Sequence, residues 1–189
     1  MVTGLTLNEG SQMNILALIG SPRKAGNTDI LVDQILKGCR ETGYETQKLY
    51  LYDYEISPCV DCRACKQKDY RCVIEDGMRE IYPKMEQADL LIFGTPVYWY
   101  GPTGKMKLLI DRMRPFIADK KLRGKRAVVV VPSEEGPAAC SALLEMFRMS
   151  FAYLGMEFSG DLLATAYEKA EIADKHEELQ KAYALGLSL

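Results

Sequence analysis

Apolar residues fall into two alternating patterns along this chain. Short unbroken runs at Asn14–Ile19 (NILALI), Asp89–Gly94 (DLLIFG) and Arg126–Val131 (RAVVVV) read as strands buried on both faces. Thr46–Leu51 and Glu157–Ala164 offer two more strands. Between the runs the spacing changes to three and four, which predicts helices. Thr28–Cys39 carries such a stripe at Ile30, Leu31, Ile35 and Cys39, with Gly43 just past its end. Further stripes run through Met78, Ile81, Met85 and Ala88, then Met106, Leu109, Ile110 and Met113. The next runs through Leu143, Leu144, Phe147, Phe151 and Leu154 and is closed by Gly155. Pro83 should kink the helix around it or mark that helix's real start. Ala170–Leu187 predicts a terminal helix.

Strands alternating with helices predict an α/β fold with helices on both faces of a doubly wound parallel sheet. Five strands fit the flavodoxin-like order 2-1-3-4-5, in which ligands bind at the carboxyl ends of the strands. The 189 residues fit one domain over 13–189. Met1–Gln12 is polar and reads as a disordered extension, or as the product of a start placed too early, with Met13 the true start. One stretch breaks the alternation: Asp53–Asp76, a long excursion of the kind that usually serves a function.

Composition narrows the partners. A formal net charge of −2 gives no polyanion-binding surface, so nucleic acid is not expected. No apolar run reaches membrane-spanning length, and no export signal is apparent, so the expected compartment is a reducing cytoplasm. The six cysteines should then be thiols, catalytic groups or metal ligands rather than structural disulfides.

Three loops on one edge hold candidate chemistry. Gly20-Ser21-Pro22-Arg23-Lys24-Ala25-Gly26-Asn27-Thr28 leads from the first strand straight into a helix. Such a turn aims backbone N–H groups at an anion, and Ser21, Arg23, Asn27 and Thr28 add donors. It is neither a Walker A loop nor a dinucleotide fingerprint. The alternative is an ordinary turn with Asn27 or Thr28 as helix cap. After the third strand, Pro96-Val97-Tyr98-Trp99-Tyr100-Gly101 places three aromatics in a Gly/Pro loop, suited to stacking a planar ring or to forming an oligomer interface. Ser133-Glu134-Glu135-Gly136 follows the fourth strand on the same edge.

SPRKAGNT and TPVYWYGPTGKMKLLIDR together resemble the NADPH-dependent FMN reductases and their relatives, the iron–sulfur flavoproteins, over about Met13 to Gly155. The resemblance implies FMN, with its phosphate on Ser21, Arg23, Asn27 and Thr28. It implies the isoalloxazine against Pro96, Val97, Tyr98, Trp99, Tyr100 and Gly101, and a site completed by Ser133, Glu134, Glu135 and Gly136. It also implies cytoplasmic homodimers or homotetramers, with a redox protein or NAD(P)H as electron donor. Lys107, Asp111 and Arg112 match the family's LK…IDR helix and read as structural or interfacial.

Cys59, Cys62, Cys65 and Cys72 fall within the excursion. Their C-x2-C-x2-C-x6-C spacing suits a [4Fe–4S] cluster, with zinc and free thiols as alternatives. The motif resembles that of the iron–sulfur flavoproteins, with a departure at Gly77, where the family often has Asp. Cys39 and Cys140 fall on helical stripes and read as core. His176 is the only histidine and reads as exposed surface, and no residue is singled out as catalytic, because in a flavoenzyme the cofactor performs the electron chemistry. The expected activity is that of an FMN-dependent oxidoreductase, passing electrons between FMN and the cluster. The alternatives are an NAD(P)H-dependent FMN or quinone reductase without a cluster, a flavodoxin-like carrier with no small substrate, and a zinc- or thiol-based regulator.

Overall fold

A computed structural model describes residues 13–67 and 69–189; the expected extension at 1–12 lies outside the described residues. Five parallel strands form one sheet: β1 (Asn14–Ile19), β2 (Glu45–Tyr50), β3 (Leu90–Gly94), β4 (Arg126–Ser133) and β5 (Glu157–Thr165). Their order is β2-β1-β3-β4-β5, as the alternation predicts. β1, β3 and β4 are mostly apolar because helices cover both of their faces.

Side chains alternate between those faces. Ile15, Ala17 and Ile19 of β1 pack with α1 (Asn27–Glu41) and α6 (His176–Ser188). Leu16 and Leu18 face the opposite layer of α2 (Met78–Gln87), α3 (Gly104–Asp111), α4 (Pro115–Asp119) and α5 (Ser141–Leu154). Phe93, Phe147 and Phe151 form the aromatic centre of that layer, with ring centroids 5.0–5.6 Å apart.

Two expectations about helices change. α2 passes through Pro83 rather than starting there. An interior proline costs about 3 kcal/mol. Full burial of Met78, Ile81 and Met85, about 1.5–3 kcal/mol each, outweighs it. The terminal helix begins at His176 rather than Ala170. Ala170 adopts a left-handed conformation, Glu171–Asp174 form a 3-10 turn, and Lys175 turns back to donate to the Thr165 carbonyl at 2.6 Å. An apolar stripe cannot register such a tertiary contact. α6 then lies tightly on α1: a Cβ at Gly38 would come within 2.5 Å of the Tyr183 carbonyl, and one at Gly186 would collide with the Ile35 carbonyl.

Candidate functional site

The sheet order reverses between β1 and β3, and the loops that follow these two strands flank the resulting crevice. Gly20 is held there by its N–H to the Gly94 carbonyl at 2.7 Å, while its carbonyl accepts the Thr103 hydroxyl at 2.5 Å. A side chain at Gly20 would meet Met106 Cβ at 2.7 Å. The two loops are therefore locked side by side.

The cap of α1 is Gly26, and no side chain caps it. The expected alternative of an Asn27 or Thr28 cap is thus overturned: both residues already lie inside the helix. The uncapped first turn leaves amide donors for an anion. Behind the loop, the Asp29 carboxylate accepts the Ala25 N–H at 2.7 Å, Lys48 at 2.6 Å and the Tyr50 hydroxyl at 2.9–3.0 Å. Burial alone would raise the Asp29 carboxyl, but these bonds outweigh it and hold it below the usual range. The same network raises the Lys48 ammonium against its own desolvation. Asp29 therefore braces the loop while Lys48 neutralises its charge.

In the loop after β3, Tyr98 and Gly101 exchange backbone hydrogen bonds at 2.8 and 3.0 Å. Trp99 and Tyr100 between them have φ of 50° and 59°, the positive pair of a type I′ turn. Non-glycine residues held this way cost about 1–3 kcal/mol each, and such strain gathers at functional sites. Trp99 is 96% exposed.

A cleft of about 170 Å³ opens between these loops. It brings together Ser21, Arg23, Asn27, Thr28, Pro96, Val97, Tyr98, Ser133 and Glu134 of the expected residues. Trp99, Tyr100, Gly101, Glu135 and Gly136 do not line it. Gly136 instead packs against the end of β5, where a Cβ would sit 2.6 Å from the Thr165 hydroxyl. Ala166 and Tyr167 form a wall that sequence reasoning missed. The available signal was their position, immediately after β5 on the same sheet edge.

The cysteine excursion is anchored at both ends by one ion pair. Arg112, 1% exposed, forks onto Asp76 at 2.6 and 3.1 Å and donates to the Ser57 carbonyl at 2.8 Å. Burial would raise the Asp76 carboxyl, but the bonds from Arg112, Ser57 and Met78 hold it low. Gly77 has no room for a side chain, since a Cβ would approach the Glu55 carbonyl and Tyr54 Cβ at 2.8 Å. Cys59, Cys62, Cys65 and Cys72 all line one small pocket, together with Arg63, Arg112 and Arg114. The buried Arg112 Nε has no hydrogen-bond partner. Among the described residues, no group of three or more His, Cys, Asp or Glu side chains is arranged to hold a metal ion. Cys39 and Cys140 are buried core thiols, as expected, and burial pushes Cys39 up to about 11.

The family model described as NADPH-dependent FMN reductase matches residues 13–169. An iron–sulfur flavoprotein of Methanocaldococcus jannaschii is 41% identical over 126 residues, which is 66% of this chain and 65% of that protein, just under two thirds of its length. A putative NAD(P)H-dependent FMN-containing oxidoreductase of Bacillus subtilis is 30% identical over 178 residues, 90% of this chain and 94% of that protein. Among solved structures, the Trp repressor binding protein from Bacillus subtilis is similar, with a TM-score of 0.70 and 27% identity. That match covers 90% of this chain and 98% of the other. The NAD(P)H:quinone oxidoreductase from Methanothermobacter marburgensis has a TM-score of 0.76 at 17% identity, covering 94% of this chain and 96% of the other, a likeness of fold.

Proposed function

The chain belongs to the NADPH-dependent FMN reductase family, a family of FMN-dependent oxidoreductases, and we propose that it binds one FMN in the cleft between the loops after β1 and β3. The observation that supports this most is the convergence of Ser21, Arg23 and Thr28 with Pro96, Val97 and Tyr98 in one cleft at the reversal of strand order. Donors come from the loop after β1 and flat apolar surface from the loop after β3, which suits a phosphate joined to a planar ring. The uncapped α1 terminus fits the phosphate end.

Bound FMN would supply the redox chemistry, accepting an electron pair and releasing it in one or two steps. The protein's part is to bind and orient. Among the described residues the Arg23 guanidinium holds the Tyr167 carbonyl at a long 3.4 Å, so it can turn toward a phosphate. Thr95 fixes the second loop by accepting the Thr103 N–H at 3.1 Å, which sets Pro96–Tyr98 against the cleft. Reduced nicotinamide or a redox protein would be the donor, and the exposed Tyr98-Trp99-Tyr100 turn suits a homodimer or homotetramer interface.

The four cysteines fit a [4Fe–4S] cluster by chemistry: an all-thiol donor set shares one pocket with three arginines, and an anionic thiolate cluster would find counter-charge and a free Nε there. Such a cluster would supply single-electron transfer. This extends the reading to an iron–sulfur flavoprotein of a reducing cytoplasm. A cluster-free NAD(P)H-dependent FMN or quinone reductase is the second reading, favoured by the lack of a preformed metal grouping among the described residues. Anaerobic reconstitution with iron and sulfide separates the two. Iron retained on the wild type and lost on Cys→Ser substitution supports the cluster, and no retained iron supports the second reading.

A further inference from the structure

The segment after β5 is bound to the phosphate loop rather than merely lying near it. The Asn27 carboxamide is engaged in both directions: Nδ2 donates to the Glu168 carbonyl at 2.8 Å, and Oδ1 accepts the Ile172 N–H at 3.1 Å. The segment is also pinned from within. The Glu171 carboxylate accepts the Tyr167 and Glu168 N–H groups at 2.7 and 3.0 Å and pairs with Lys175 at 2.6 Å. The Ala166 N–H donates to the Ser133 carbonyl at 3.0 Å, which joins the start of the segment to the end of β4. All this fixes the backbone of Tyr167, whose side chain is 59% exposed and whose residue lines the cleft beside Ser21 and Arg23. The Asn27 and Glu171 contacts lie beyond the sheet, since β5 has already ended at Thr165.

We infer that residues 166–172 are a strap forming the third wall of the flavin cleft. Tyr167 covers its phosphate–ribityl end, and Asn27 is a positioning residue that holds the strap rather than a phosphate ligand through its side chain. The inference rests on the cleft being the FMN site. Asn27 already has hydrogen-bond partners in the strap at both ends of its carboxamide, so turning it to a phosphate would break both bonds. The strap leaves Arg23 as the charged side chain of the loop nearest its own wall, reaching the Tyr167 carbonyl.

Titration of the flavin-free protein with FMN and with riboflavin tests this, using wild type, Asn27→Ala, Tyr167→Ala and the double variant. Each single variant should lose about tenfold in FMN affinity, the effect of one lost hydrogen-bonded or packed contact. The double variant should be little worse than either, because both act through one wall. Asn27→Ala should also speed tryptic cleavage at the exposed Lys169 in the strap. Tyr167→Ala removes an exposed ring and leaves every backbone bond in place, so it should fold even if Asn27→Ala does not. Unchanged FMN affinity in Tyr167→Ala would overturn the strap. So would an Asn27→Ala loss that persists undiminished in the Tyr167→Ala background, since that is the behaviour of a direct ligand. A wild type that binds riboflavin as tightly as FMN would instead remove the phosphate-site reading, and the strap's role with it.

Discussion

The Arg112 guanidinium grips the Asp76 carboxylate at 2.6 and 3.1 Å with both side chains 5% exposed or less, and through it the two ends of the cysteine excursion meet. Removing one partner of a buried pair leaves the other charge unpaired, which costs about 3–5 kcal/mol. Asp76→Asn should therefore lower stability by that order at pH 7. Asp76 has a depressed carboxyl in the folded state, so its contribution is complete above the unfolded value of about 4 and is lost as pH falls through the lower folded value. Denaturant unfolding of wild type and variant should show a gap that closes below about pH 4. A gap that stays constant with acidification would mean that Asp76 is not ionised in the fold.

The α1–α6 crossing tolerates no side chain at Gly186. Gly186→Ala should overpack it and cost about 1–3 kcal/mol, read as a lower denaturation midpoint. A neutral or stabilising result would show that α6 can move off α1, and the strap that precedes it would then be less firmly seated.

The Trp99–Tyr100 turn offers a test that separates stability from assembly. Replacing the pair with Asn-Gly relieves two positive-φ side chains and should raise stability by about 1 kcal/mol or more. The same change removes the exposed aromatics and should shift the protein toward monomer by sedimentation. Unchanged oligomeric state would show that the aromatic turn is not the interface.

Much of this was legible in the sequence, and what was not has a physical reason. β1, β3 and β4 announce themselves because burial on both faces favours unbroken apolar runs. The loops holding Arg23 and Tyr98 were legible from their density of donors and rings, and the cleft joins them. Tyr167 was not, because the strap is held by backbone carbonyls and amides, which every residue has. The two bonds of Asn27 span 141 and 145 residues, and no local pattern encodes them. The helix expected from Ala170 failed for the same reason: Lys175 serves Thr165 and Glu171 instead of continuing a helix. The resemblance marked Arg112 as structural or interfacial, but its grip on Asp76 across the excursion was not legible.

In anaerobically reconstituted protein, iron and sulfide should approach about four each per chain, the content of the proposed cluster type. Cys65→Ser or Cys72→Ser should lower that content while FMN stays bound, because the cysteine pocket and the cleft proposed for FMN share no lining residue. A Cys72→Ser variant holding as much iron as wild type would exclude the four-cysteine site.

If the cleft between the loops after β1 and β3 holds FMN by its phosphate, FMN and riboflavin should differ in affinity for the wild type, and Arg23→Ala should narrow that difference. A charge-assisted phosphate contact is worth about 1.5–3 kcal/mol, or about ten- to a hundredfold in affinity. Fluorescence titration should show one FMN per wild-type chain, bound more tightly than riboflavin, and Arg23→Ala should lose about ten- to a hundredfold for FMN while riboflavin is unchanged. Equal affinity of the wild type for the two flavins, or an FMN affinity indifferent to Arg23, would mean that this loop does not hold the phosphate.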